Sequence, residues 1–105
     1  MARFDVYRNN GTHAADVPYL LDVQSDLLSG LETRVVVPLR RRDRFPVANL
    51  PGNLMPTLKV EGVDCILETP KLAAVPLRVL KTPIASLAAS HFEITAALDF
   101  LFQGF

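Results

Sequence analysis

Tryptophan is absent from this chain of 105 residues, cysteine occurs once, and neither sign of charge is in excess. Each lack excludes something. A single thiol, Cys65, rules out an intrachain disulfide and gives no cysteine-cluster metal spacing, which suits a reducing cytoplasm. Lys and Arg number 11 and so do Asp and Glu, so the formal net charge is zero. Long-range attraction cannot then draw the whole molecule to nucleic acid or an anionic membrane. No apolar run approaches the roughly 18 residues of a membrane span. The start, Met1-Ala2-Arg3-Phe4-Asp5, lacks the apolar stretch of a signal peptide. A soluble cytoplasmic protein is expected, with no membrane partner and no sequence-specific nucleic-acid binding.

What is present is an ordinary globular balance, 50% hydrophobic and 21% charged, which argues against disorder. A single domain over residues 1–105 is expected, with a core thin enough to gain from a second copy of the chain. Eight prolines and five glycines cut the first four-fifths into short pieces. Residues 2–8 alternate, with Phe4 and Val6 on one side and Arg3, Asp5 and Tyr7 on the other, predicting a half-buried strand. Asn9-Asn10-Gly11 signals a turn, and residues 19–24 read as a second strand. Leu27 and Leu28 fall in the connection after it. Residues 34–39, with three consecutive valines, predict a strand buried on both faces. Residues 40–53 read as a loop, and residues 58–69 as a hairpin turning at Gly62. The pattern then predicts a helical turn over residues 71–75 and a last strand over residues 77–81.

The period changes at the end. Thr82 suits an N-cap and Pro83 the first helical position. Ile84, Leu87, Ile94, Leu98 and Leu101 fall on one helical stripe, predicting a helix of about twenty residues that lies on the sheet. Gly104 provides its stop. A second face carries Ala85, Ala89, Ala96 and Phe100. Either strands cover that face or a second copy does; the short chain favours the second copy, with Ala96 and Phe100 at the interface.

Groups for catalysis are few. His13 and His91 share no metal-ligand spacing, so neither a metal nor another cofactor is implied. Ser25 lacks the glycine-flanked elbow of a nucleophile. Asp22 and Asp26, at a strand end, are the kind of carboxylates that accept backbone N–H groups in a turn. Cys65, between Val63 and Ile66, reads as a packed thiol. The run Arg40-Arg41-Arg42-Asp43-Arg44 beside Phe45 is the strongest local charge feature, and reads as a solvated loop or a docking site for an acidic peptide.

Several separated segments, in order, resemble the CcdB family. They are Phe4 with Val6-Tyr7, the tract Asp22-Val23-Gln24-Ser25-Asp26-Leu27-Leu28, Arg34-Val35-Val36-Val37-Pro38-Leu39, Ala74-Val75-Pro76-Leu77, and a closing helix that runs into Gln103-Gly104-Phe105. The resemblance implies a mainly β fold, a compact antiparallel SH3-barrel-like sheet with one C-terminal α-helix. It implies a homodimeric, non-enzymatic toxin that binds the DNA gyrase A subunit, traps it on cleaved DNA and is neutralised by a cognate antitoxin. The family's gyrase-facing surface falls here on Leu27, Leu28, Asp99, Gln103, Gly104 and Phe105. Gln103 stands where the best-known members carry tryptophan. Two other readings remain: an endoribonuclease like the MazF toxins, which share the barrel, and an interaction module without toxicity.

Overall fold

The longest β-branched stretch of the chain organises everything else. Val35, Val36 and Val37 lie in β3 (Thr33–Arg41), a nine-residue strand in a computed structural model that describes residues 2–46 and 51–104. β3 has three antiparallel neighbours. It pairs with β2 (Tyr19–Asp22) from Tyr19↔Leu39 to Asp22↔Val36. Its last residues pair with β5 (Val63–Leu67), Leu39 opposite Leu67 and Arg41 opposite Cys65. Its first residues pair with β6 (Ala73–Pro76), from Thr33↔Pro76 to Val36↔Ala73. β1 (Asp5–Arg8) pairs with β2 on one side and with the two-residue β7 (Ala85–Ser86) on the other. β4 (Thr57–Val60) closes the other edge by a hairpin to β5. The order β4-β5-β3-β2-β1-β7, with β6 beside β3, makes a nearly closed antiparallel barrel-like sheet, and α1 (His91–Gln103) follows it.

The β4–β5 turn shows how local sequence sets register. Glu61 and Gly62 have φ of 49° and 81°, the pair of positive values that a tight hairpin turn needs to match strand twist. Because side chains alternate across a strand, each pairing splits the apolar residues between two faces. Val6, Leu21, Val37, Leu39 and Leu67 form the main core, closed by Ile94 and Ala97 of α1. Tyr7, Leu20, Val36 and Leu80 form a smaller core on the opposite face.

Several expected boundaries move, for one reason. The helix begins at His91 and spans 13 residues, so Thr82 does not cap it and Pro83 does not start it. The N–H of Ile84 instead donates to Val6 O (2.8 Å) and that of Leu87 to Phe4 O (2.8 Å), with β7 laid along β1 between them. An unpaired edge of β1 outcompetes helix propensity over those residues. Ala85 therefore lies in a strand, and Ala89 in a 3₁₀ turn, Ala88–Ser90, rather than on a helix face. The same competition makes Ala73–Pro76 a strand, the helical turn having moved back to Thr69–Lys71. Residues expected as the last strand begin with a 3₁₀ turn, Leu77–Val79, which drops Leu80 into the smaller core. β1 is buried on both faces, Val6 and Tyr7 both fully, rather than half-buried. Arg40 and Arg41 extend β3 instead of opening a loop.

Candidate functional site

Asp22 ends β2 with its carboxylate in the protein interior. One oxygen, Oδ1, accepts the Gln24 N–H at 3.0 Å, and the other pairs with Arg34 Nε at 2.9 Å and Nη2 at 2.7 Å. Burial pushes the Asp22 carboxyl above its usual range, while Arg34 and the Gln24 N–H pull against that shift. Arg34 Nη2 also donates to the Gln24 carbonyl at 3.3 Å. Gln24 spans the next gap: its Nε2 donates to Leu28 O (3.1 Å) and its Oε1 accepts the Val35 N–H (3.0 Å). Ser25 Oγ accepts the Leu27 N–H at 3.2 Å, capping the 3₁₀ turn Asp26–Leu28. Asp26 Oδ1 accepts the Arg3 N–H at 2.7 Å, and Arg3 Nε donates to Val23 O at 3.1 Å. Every polar side chain of the tract thus holds backbone in place; Asp22 does so in its own turn, as expected, whereas Asp26 holds the N–H of the distant Arg3.

What this scaffold holds up is apolar. Leu27 is 94% exposed and Leu28 49%, with Leu31 at 50% beside them. The outermost carbon surface on this turn contributes nothing to the core.

The turn is tied to the helix by a short relay. Phe4 has φ 74°, strained for an aromatic residue, and is pinned by its N–H to Asp22 O (2.7 Å) and by the Leu87 N–H to its own carbonyl. Its ring lies under the Arg3 guanidinium, 4.7 Å away, and 6.4 Å from the His91 ring. His91 stacks on Phe92 at 4.2 Å. This connection reaches the first turn of α1, the end opposite Gln103 and Gly104.

On α1, Ile94 and Ala97 face inward while Phe92, Ala96, Asp99, Phe102 and Gln103 are exposed. Gly104 takes φ 80° and its N–H closes on Phe100 O at 2.9 Å, the left-handed helix stop expected of it. Ala96 and Phe100 line a cleft of about 530 Å³ together with Asn53, Pro56 and Glu93. Phe105 lies outside the described residues. Phe92, 79% exposed, carried no weight in the sequence pattern, although it falls off the inward stripe. Phe102, expected with Leu101 at the end of that stripe, is instead 71% exposed, because it sits about 80° round the helix from the buried Ile94.

The basic run is spoken for locally. Arg40 Nε reaches Glu68 at 3.1 Å, Arg41 chelates Asp43, and Arg44 approaches Asp16 at 4.0 Å. Burial pushes the Cys65 thiol up to about 11, so it sits in the main core as a neutral packed group. Among the described residues no three His, Cys, Asp or Glu side chains converge as metal donors, and no helix is long and apolar enough to cross a membrane.

Comparison with known proteins adds one finding. The sequence model of a family described as CcdB protein matches residues 3–104. Among the curated proteins, none matches.

Proposed function

The chain belongs to the CcdB family, whose members are toxins of toxin–antitoxin systems, and from that premise we propose that it acts by binding. Its target in this reading is the DNA gyrase A subunit, trapped on cleaved DNA, and a cognate antitoxin relieves the block. The surface consists of Leu27 and Leu28 with Asp99, Gln103, Gly104 and Phe105. One observation carries the reading: Leu27, 94% exposed, crowns a turn whose every polar neighbour is committed to holding it there. A folded chain gains nothing from displaying that side chain, whereas a partner gains by covering it. The ribonuclease alternative needs a free cationic groove, and Arg40, Arg41 and Arg44 are each paired with an acid.

The test is supercoiling by purified gyrase across a titration of the protein, with RNA cleavage assayed alongside. Inhibition together with gyrase-dependent DNA cleavage is expected, and intact RNA. Deleting residues 103–105 should leave the circular dichroism spectrum unchanged and remove the inhibition. RNA cleavage without an effect on gyrase would overturn the proposal.

A further inference from the structure

The two halves of the proposed surface, the Leu27–Leu28 turn and the end of the helix, come from distant parts of the chain, and one exposed aromatic stands between them. Phe92 is 79% exposed in the first turn of α1. At about 100° per residue, Phe92, Asp99 and Gln103 follow one line along the outer side of the helix, spaced seven and four apart. That line runs about 16 Å from Phe92 to Gln103. At its start it meets the relay of Arg3, Phe4 and His91, whose other end is hydrogen-bonded to Asp26 beside Leu27. We propose that Phe92 is the aromatic anchor of the partner-binding surface, a contact that bridges its two halves and supplies the ring that Gln103 does not. This inference rests on the gyrase reading above.

Phe92 is already held in position. His91 stacks against it, and the His91 ring is itself fixed by a 2.9 Å contact from Nδ1 to Ala88 O. An aromatic side chain fixed in advance loses little freedom on binding, which is what makes an anchor effective. The surroundings state the chemistry of the partner. His91–Gln103 contains Glu93 and Asp99 and neither lysine nor arginine, and Asp26 is exposed beside Leu27, so acids outnumber the Arg3 guanidinium at this surface. The occupant is therefore a patch on the gyrase A subunit that offers an apolar hollow rimmed by basic side chains.

The experiment compares wild type with Phe92→Ser, Phe92→Tyr and Phe92→Lys for inhibition of supercoiling and for direct binding to the isolated gyrase A subunit. Melting curves and light scattering accompany each. Phe92→Ser should raise the half-inhibitory concentration by about tenfold or more. Phe92→Tyr should stay close to wild type, and Phe92→Lys should be the weakest, with all melting temperatures unchanged. If wild type inhibits and Phe92→Ser matches it, the anchor assignment is wrong while the gyrase reading stands. If wild type neither binds nor inhibits, the gyrase reading fails and the anchor with it. Loss of a dimer in Phe92→Ser would mean that a second copy covers this ring, which also overturns the proposal.

Discussion

Asp22 and Arg34 meet where water does not reach, 0% and 1% exposed at their side chains. Removing two charges from water is expensive, and such a pair contributes little net stability even with short contacts. Arg34 Nη1 is also buried without a hydrogen-bond partner among the described residues, which adds to the cost. What the pair does contribute is geometry, since the carboxylate and guanidinium together fix the backbone at Gln24. Arg34→Ala should therefore be far worse than neutral, destabilising by about 3–5 kcal/mol because it strands a buried carboxylate. The pH dependence has a definite sign. Burial already raises the Asp22 pKa above its ordinary 3.8. A raised folded pKa gives stability that is present below the unfolded value and lost as pH climbs through the folded one. Arg34 opposes that rise, so its removal widens the window. The stability loss in Arg34→Ala should be smaller at pH 4 than at pH 8, measured by urea titration at both.

The 3₁₀ turn and the helix differ in what they give the fold. Asp26–Leu28 contains no buried residue, and its shape is set from outside, by Gln24, Ser25 and Arg3. α1 contributes Ile94 and Ala97 to the main core, both fully buried. Replacing Leu27 and Leu28 together by serine should shift stability by only about 0.5–1 kcal/mol, the range for exposed positions, while abolishing inhibition of gyrase. Ile94→Ala should cost about 2–5 kcal/mol, because it leaves a cavity against the sheet. Thermal melts of the two variants side by side separate binding surface from core. Comparable destabilisation in both would place the leucines in the core.

At the scale of the molecule, the cleft beside α1 is where we propose that a second copy packs. Ala96, Phe100 and Pro56 give it an apolar lining, with Glu93 and Asn53 at its polar side. A homodimer at micromolar concentration is the expected state. Phe100→Arg, which sets a charge in that cleft, should convert it to monomer in sedimentation equilibrium without loss of helix signal. A monomeric wild type would show that the cleft is not an interface between copies. A dimer would also place two copies of the surface containing Leu27 on one particle, which increases avidity for a two-fold-symmetric target.

Local chemistry alone determined a good deal of this protein. The three valines of β3, the turn at Gly62, the stop at Gly104 and the packing of Cys65 follow from residue type and spacing, because each depends on neighbours in sequence. Asp22 and Asp26 were legible as carboxylates that hold backbone, although the second strand stops at Asp22 rather than at residue 24; with the other matched segments the tract identified the family. Tertiary structure decided what depends on distant partners. Residues 82–90 have helical spacing, yet the open edge of β1 claims the N–H groups of Ile84 and Leu87 before a helix can. The Arg34 that closes the turn comes from a different strand, and no spacing announces that pairing. Exposure, too, is settled only by the finished fold: Phe92 and Ile94 are two residues apart and equally apolar, and which of them meets solvent depends on where the helix rests on the sheet.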